Sequence, residues 1–208
     1  MNITPTIIAF IISYLIGSVT LSIAISKRMG RGDIRNFGSH ATGATNVLRT
    51  LGKKAAAITF VWDILKGVIC VVAARVIGLN PEVAAFGAIL GHIFPVYFGF
   101  KGGKGVATTV GIILSLYPLP GVCALIIALA IMAVTKYVSL GSIIGVMVLP
   151  LMLWVFKGDA HQIIFAGVLA IIVIITHRQN IDRLIHGVEN KLGQKVSTKV
   201  TTEEQKEN

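Results

Sequence analysis

Three segments of the sequence combine glycine, hydroxyl and cationic residues, a mixture that can surround an oxyanion with backbone N–H groups and fixed positive charge. The first segment runs from Gly32 to Arg49. Its glycines permit a tight backbone, and Arg35 and Arg49 can each hold a phosphate through two parallel hydrogen bonds. Its remaining binding candidates are Gly38, Ser39, Thr45 and Asn46. A glycine-rich turn with topology-setting arginines explains each residue alone but explains the whole set poorly.

The second segment runs from Phe100 to Thr108 and follows His92 by a few residues. Lys101 and Lys104 flank Gly102 and Gly103, and we expect these lysines to meet several free N–H groups at the start of a helix, which is a site suited to phosphate. The spacing of the nucleotide-binding phosphate loop is not met, so ATP hydrolysis is rejected. Two lysines that merely end a membrane span are the second interpretation.

The third segment joins Ser139 and Ser142 with the region from His177 to Glu189. Helical spacing places His177, Asn180 and Arg183 near one another on a face that can turn back toward the rest of the protein. By itself this composition is that of an ordinary interfacial helix.

The elements that carry these segments are membrane helices. Hydrophobic residues make up 54% of the 208 residues, charged residues make up only 13%, and the mean hydropathy is +0.81. These values exclude a soluble domain, a disordered chain and a collagen-like chain. The net charge of +10 does not predict a nucleic-acid partner, because the basic residues lie between apolar runs, where they set topology or hold phosphate.

Uncharged runs of suitable length predict the spans. The segment from residue 105 to residue 135 has no charge, is too long for one span, and is interrupted by Tyr117-Pro118-Leu119-Pro120. We interpret it as a hairpin of two short spans. The other predicted spans are 7–26, 55–79, 83–98, 137–156 and 160–176.

The positive-inside rule supports this interpretation. Of the 19 Lys and Arg residues, 16 then fall on one side, Lys157 alone falls on the other, and Lys66 and Arg75 lie within the second span. The sequence therefore predicts an all-α, compact seven-helix bundle with its N-terminus outside, its C-terminus cytoplasmic and its three segments on the cytoplasmic face. Residues 1–195 form one domain, and 196–208 are expected to be a disordered cytoplasmic tail.

Two charges within the second span, Asp63 and Lys66, are three residues apart and can pair on one helix face. We expect a supporting role, with Lys66 extending toward the membrane surface. Small residues spaced by four, such as Gly87 and Gly91 or Gly141 and Gly145, predict close helix contacts.

Motifs in all three segments resemble those of the bacterial acyl-phosphate:glycerol-3-phosphate acyltransferases, the PlsY family. The matching residues include Asp33-Ile34-Arg35, Gly38-Ser39, Gly43-Ala44-Thr45-Asn46, Gly91-His92, Lys101-Gly102-Gly103-Lys104-Gly105, Ser139-Leu140, Ser142, His177-Arg178, Asn180 and Glu189. The resemblance extends from Gly17 to Glu189. Two departures are His40-Ala41, where the family usually has Gly-Asn, and Thr20, where it has Pro.

The resemblance implies transfer of a fatty acyl group from acyl phosphate to the 1-hydroxyl of glycerol 3-phosphate, giving lysophosphatidic acid and inorganic phosphate. Because an acyl phosphate is already activated, we hypothesise direct attack without a covalent acyl-enzyme. Arg35, Arg49, Lys101 and Lys104 would hold the phosphates. We expect the donor's own phosphate to accept the hydroxyl proton, with His177 as the alternative proton acceptor. The residues expected to act in catalysis are Ser39, Lys104, His177 and Asn180. The residues expected to bind substrate are Arg35, Gly38, Thr45, Asn46, Arg49, His92, Lys101, Gly102, Gly103, Thr108, Ser142 and Glu189.

The same reading predicts no metal and no cofactor, contact with membrane lipids, a functional monomer, and a bacterial inner-membrane location with the site facing the cytoplasm. A phosphate- or phospholipid-handling transporter is the main alternative, although its fold would need inverted halves and midplane charges. A CDP-alcohol transferase would need several aspartates on one helix, and a non-catalytic scaffold would need no such clusters.

Overall fold

The computed structural model describes residues 3–194, and within them the chain folds into ten α-helices and two 3-10 turns. The helices are α1 (Ile3–Ser18), α2 (Leu21–Arg28), α3 (Ala44–Thr50), α4 (Lys53–Val76), α5 (Pro81–Ile93), α6 (Val106–Leu116), α7 (Pro118–Thr135), α8 (Val138–Val155), α9 (Ala160–Thr176) and α10 (Arg178–Ile185). The 3-10 turns are Ile34–Asn36 and Val96–Phe98. The prediction of an all-helical membrane protein is confirmed, while the tail predicted at 196–208 lies outside the described residues.

Each of the seven predicted spans contains an α-helix, and the predicted hairpin is present as α6 and α7, which are separated at Tyr117. Two spans are not continuous: 7–26 is divided into α1 and α2 between Ser18 and Leu21, and 83–98 continues beyond Ile93 only as a 3-10 turn. Pro118 begins α7, where a missing N–H costs nothing. However, α6 has 11 residues and extends only about 17 Å. Five helical segments in the described part are long and apolar enough to cross a membrane, or six if the bent pair of α9 and α10 counts as one. Seven crossings and their orientation therefore remain predictions.

Glycines bring the helices together as their spacing predicted. A Cβ atom at Gly91 of α5 would collide with the Tyr14 carbonyl oxygen of α1, and one at Gly87 would lie 2.5 Å from the Phe10 carbonyl oxygen. Gly141 of α8 packs in the same way against α7. In a membrane, close backbone approach of this kind is a main source of helix–helix attraction.

The largest apolar core lies where α4 to α9 meet, and Ile89, Ile112, Leu149 and Leu169 are its most buried large side chains. At one end of this core, the segment before α3, the turn before α6 and the junction of α9 and α10 converge. The rigid helices thus place the three chemically distinctive segments around one region.

The prediction that Lys66 extends toward the membrane surface is wrong. Its side chain is 0% exposed, and its ammonium group lies 2.8 Å from the Asp63 carboxylate. The expected ion pair is present, but burying both partners is favourable only when each charge is closely compensated.

Candidate active site

One cavity of about 220 Å³ lies where the three segments meet. It brings together ten of the predicted site residues, which come from four helices and the loops between them. These residues are Ser39, Thr45, Asn46, Arg49, His92, Lys104, Ser142, His177, Asn180 and Glu189.

A chain of hydrogen bonds forms one wall of the cavity. The Lys104 ammonium donates to Asn180 Oδ1 (2.5 Å), and Asn180 Nδ2 donates to Glu189 Oε1 (2.6 Å). Ser139 donates to the same Glu189 oxygen (2.9 Å), while Arg183 Nε donates to the other (2.6 Å). Both Glu189 oxygens therefore have protein partners, which makes this carboxylate an anchor for Asn180.

Glu189 stays ionised in this wall. Burial opposes its charge, but the hydrogen bonds from Asn180, Arg183 and Ser139 hold the pKa of Glu189 below its usual range. Its negative charge then balances part of the positive charge nearby.

Two cations face the cavity. Burial lowers the pKa of Lys104 to about 8, an effect that Glu189 opposes and that Arg183 and Arg49 reinforce. Arg49 is half-buried and donates from Nη2 to the Asn190 carbonyl oxygen at 3.3 Å. Its guanidinium has no other hydrogen bond or close ion pair among residues 3–194 and can receive an anion.

His177 is a neutral imidazole in this structure. Burial, and then the charge of Lys104, lower its pKa to about 4. Nδ1 lies 2.8 Å from the Val173 carbonyl oxygen, which can only accept a hydrogen bond, so Nδ1 carries the proton. Nε2 is then the unprotonated nitrogen and can accept a hydrogen bond or a proton.

The first segment is folded around Asn46, which is 1% exposed. Asn46 Nδ2 donates to the Phe37 and Ala41 carbonyl oxygens at 3.0 and 2.9 Å, and its Oδ1 accepts from the Ser39 N–H at 2.9 Å. Since these groups are engaged, Asn46 shapes the loop and presents Ser39. The Ser39 hydroxyl has no protein partner in the described part of the chain.

The departure from the family pattern at His40 has a backbone cost. His40 adopts a φ of 55°, in the left-handed region that favours glycine, the residue usually present in the resembling family. Ala41 contributes a methyl group to the cavity wall at the position of the usual Asn.

Six predicted site residues do not line this cavity: Arg35, Gly38, Lys101, Gly102, Gly103 and Thr108. Arg35 forms an ion pair with Asp33 (2.7 Å) and donates to the carbonyl oxygens of Phe98 (2.5 Å) and Lys101 (2.9 Å), so it joins the first segment to the second. Lys101 is exposed, while Thr108 is fully buried within α6.

The expectation of free N–H groups in the second segment is wrong for its two central glycines. Gly102 N–H donates to the Ile93 carbonyl oxygen (3.0 Å), and Gly103 N–H donates to the His92 carbonyl oxygen (3.1 Å). The glycines therefore fold the turn against the end of α5, and Lys104 is the lysine of this segment that reaches the cavity, together with the start of α6.

An apolar wall is the feature that sequence reasoning missed. Leu125, Leu129 and Met132 of α7 face Val110 of α6 and Phe60 of α4 across the cavity. Phe60 and Leu129 are 46% and 53% exposed, so this wall extends to the outer surface of the bundle. A smaller apolar pocket between α6, α7 and α8 shares Val110, Leu125 and Met132 with the cavity. Leucine and valine are common in any membrane helix, and nothing in their spacing indicated a groove.

Fold and site together define a class: a helical membrane protein whose cationic, hydrogen-bonding pocket is continuous with an apolar groove. Such a site suits a substrate that is anionic at one end and hydrocarbon at the other.

Comparison with known proteins identifies the family. A family model described as glycerol-3-phosphate acyltransferase matches residues 7–187. The chain is 44% identical over 195 residues to a glycerol-3-phosphate acyltransferase of Thermoanaerobacter pseudethanolicus, covering 93% of this chain and 98% of the relative. It is 43% identical over 203 residues to one of Clostridioides difficile, covering 94% and 99%.

Solved structures agree with these matches. The fold is similar to crystal structures of PlsY, an integral membrane glycerol 3-phosphate acyltransferase, in its glycerol 3-phosphate form and its lysophosphatidic acid form. The TM-scores are 0.85 and 0.82, with 38% and 36% sequence identity, and each match covers 91% of this chain and 96% of that chain. The chain therefore belongs to the glycerol-3-phosphate acyltransferase family.

Proposed function

We propose that this protein transfers a fatty acyl group from acyl phosphate to the 1-hydroxyl of sn-glycerol 3-phosphate, giving lysophosphatidic acid and inorganic phosphate. The observation that carries the proposal is the single cavity in which Lys104 and Arg49 lie beside an apolar wall. The cations match the phosphates of both substrates, and the wall matches the acyl chain. The two PlsY structures named above support the acceptor and the product.

The reaction requires positioning and charge stabilisation more than a protein nucleophile. The acceptor oxygen attacks the acyl carbonyl carbon, the bond between that carbon and the phosphate oxygen breaks, and the hydroxyl proton passes to the released phosphate. Lys104 and Arg49 stabilise the phosphate as negative charge develops on it. Ser39, Ser142 and Asn180 supply neutral hydrogen bonds that orient the acceptor.

His177 is the alternative proton acceptor. Its unprotonated Nε2 can take the hydroxyl proton, whereas an imidazolium could not. Replacing His177 with Gln keeps a hydrogen-bonding group but removes the basic nitrogen, so retention of most activity in His177→Gln would favour transfer of the proton to the substrate phosphate.

We place the protein in the bacterial inner membrane with its cavity open to the cytoplasm, acting as a monomer without a metal or cofactor. In the described residues, no three His, Cys, Asp or Glu side chains form a group that could hold a metal ion.

The decisive experiment uses purified protein, acyl phosphate and labelled glycerol 3-phosphate, without nucleotide or added metal. We expect labelled lysophosphatidic acid and one released phosphate per product. Acyl-coenzyme A and acylated acyl carrier protein, each with the same acyl chain, serve as control donors and should give no product. Efficient transfer from either thioester would contradict the proposed donor.

A further inference from the structure

A buried charged cluster supports the second segment from below, and two of its members, Asp63 and His92, also reach the cavity wall. The proposed reaction assigns this cluster no chemical step. Asp63 of α4 is 2% exposed, Lys66 is 0% exposed, and His92 of α5 is 2% exposed. The Asp63 Oδ1 atom lies 2.8 Å from the Lys66 ammonium and 3.4 Å from His92 Nδ1. A carboxylate so deeply buried among apolar helices is costly and indicates a role.

One side of the cluster holds the break between α1 and α2. At that break the Val19 carbonyl oxygen accepts a hydrogen bond from Trp62 Nε1 at 2.9 Å, and the Lys66 ammonium lies 3.4 Å from the same oxygen. Side chains of α4 thus satisfy a carbonyl group in the interrupted first span. Lys66 both compensates Asp63 and ties α4 to this break.

The other side of the cluster supports the glycine turn. The His92 ring is in direct contact with Gly103, because a Cβ atom at Gly103 would collide with His92 Nε2. The His92 carbonyl oxygen also accepts the Gly103 N–H at 3.1 Å. Lys104 is the next residue, so the orientation of the His92 ring fixes where the Lys104 side chain begins.

We infer that Asp63 is a positioning residue, which orients the His92 ring and through it the Gly103–Lys104 turn, while the Lys66 ammonium pairs with the Asp63 carboxylate. A carboxylate attracts the protonated nitrogen of the ring, so Asp63 selects the orientation in which Nδ1 faces α4 and Nε2 faces Gly103. The role rests on the proposed function, since Lys104 is the group whose placement matters for phosphate binding.

The test is a double-mutant cycle on binding of glycerol 3-phosphate, measured by calorimetry with the full chain. Asp63→Asn should weaken binding about 10-fold, a change of about 1.4 kcal/mol. In a Lys104→Ala background the same change should weaken binding less than about 2-fold, because Asp63 acts through Lys104. Thr59→Val is the matched control: it lies one turn earlier in α4, is 1% exposed, and should leave binding unchanged.

Two results overturn the inference: unchanged binding in Asp63→Asn, or a 10-fold loss that persists in the Lys104→Ala background, which would mean that Asp63 acts on the ligand directly or on the fold as a whole. If Asp63→Asn does not fold, Asp63→Asn with Lys66→Gln removes both charges and enters the same cycle. Acyl transfer by the wild-type protein is measured separately, so failure of the proposed reaction is distinguishable from failure of this inference.

Discussion

Burial lowers the pKa of both Lys104 and His177, which line the same cavity, but it leaves the two residues with different charges. Lys104 keeps its proton at neutral pH because its pKa of about 8 is still above 7, whereas His177, with a pKa of about 4, is neutral. The cavity therefore presents a fixed cation and an unprotonated imidazole together. At the residue scale, this pairing suits the proposed reaction between two phosphate-bearing substrates.

The first prediction compares two lysines. Lys104→Ala should nearly abolish acyl transfer, because loss of a desolvated contact to phosphate costs roughly 2 to 5 kcal/mol. Lys136→Ala should change activity little, since Lys136 is exposed and lies outside the cavity lining. Steady-state kinetics with both substrates, on variants checked for folding, provide the measurement. Similar activity in the two variants would show that Lys104 only sets topology.

The second prediction concerns pH. As pH rises through about 8, Lys104 loses its proton, so kcat/KM for glycerol 3-phosphate should fall on the alkaline side. Loss of this proton should not weaken the fold. Between about pH 8 and the usual lysine pKa of about 10.4, the unfolded chain binds more protons at Lys104 than the folded chain does, so the contribution of Lys104 to stability increases with pH.

The control for the pH profile is Lys104→Arg, whose charge persists to much higher pH. In that variant the alkaline fall should disappear even if activity is lower throughout. If kcat/KM of the wild-type protein stays constant up to pH 10, the charge of Lys104 is not required for catalysis.

At the element scale, α5 connects the close contact with α1 to the cavity. Gly87 and Gly91 pack against α1, while His92, one residue further, begins the support of the glycine turn. Displacement of α5 from α1 would therefore lower the thermal stability of the protein and shift the glycine turn at the cavity.

The third prediction follows from this contact. Gly91→Ala should lower thermal stability, because overpacking of a close helix contact typically costs about 1 to 3 kcal/mol. Gly167→Ala is the matched control, since a Cβ atom there meets nothing within 4 Å and α9 gains a better helix former. Thermal unfolding in the same detergent compares them, and equal melting temperatures would contradict the packing argument.

Charge patterns and breakers predicted the elements better than they predicted the site. The positions of Lys, Arg and Pro residues located the main helices of the seven predicted spans, because burying a charge in lipid is costly wherever it occurs, but they did not predict the break between α1 and α2. The side-chain contacts depended on tertiary structure: the sequence placed Arg35 among the phosphate ligands, yet its guanidinium is engaged by Asp33 and two carbonyl groups. Likewise, the Asp63–Lys66 spacing predicted an ion pair, but only the packing of α5 brings His92 to it.

At the scale of the whole molecule, the three segments converge on one end of the bundle, as a site on one membrane face requires. Gln179 follows α9 at this end, whereas Lys157 lies in the connection between α8 and α9 at the opposite end of α9. These two positions therefore report the orientation of the chain.

The fourth prediction is that Gln179→Cys reacts with a membrane-impermeant thiol reagent only from the cytoplasmic side, and Lys157→Cys only from the exterior. Both positions are exposed, and the native Cys70 is buried. Replacing Cys123 as well gives a clean background. Labelling of intact cells and of inverted vesicles measures this, and reversed labelling would overturn the proposed orientation.

Phe60 and Leu129 are exposed where the apolar wall of the cavity reaches the outer surface of the bundle. A donor that enters there comes from the membrane, so its concentration within the membrane governs turnover. Because the apolar wall reaches the outer surface of the bundle, the proposed reaction lets donor and product keep part of their chains among the neighbouring lipids while the phosphates react. Under this proposal, the donor reaches the site by lateral diffusion within the bilayer. At a fixed total amount of donor, added inert lipid should slow the reaction by surface dilution, whereas the soluble acceptor should follow ordinary saturation in bulk volume.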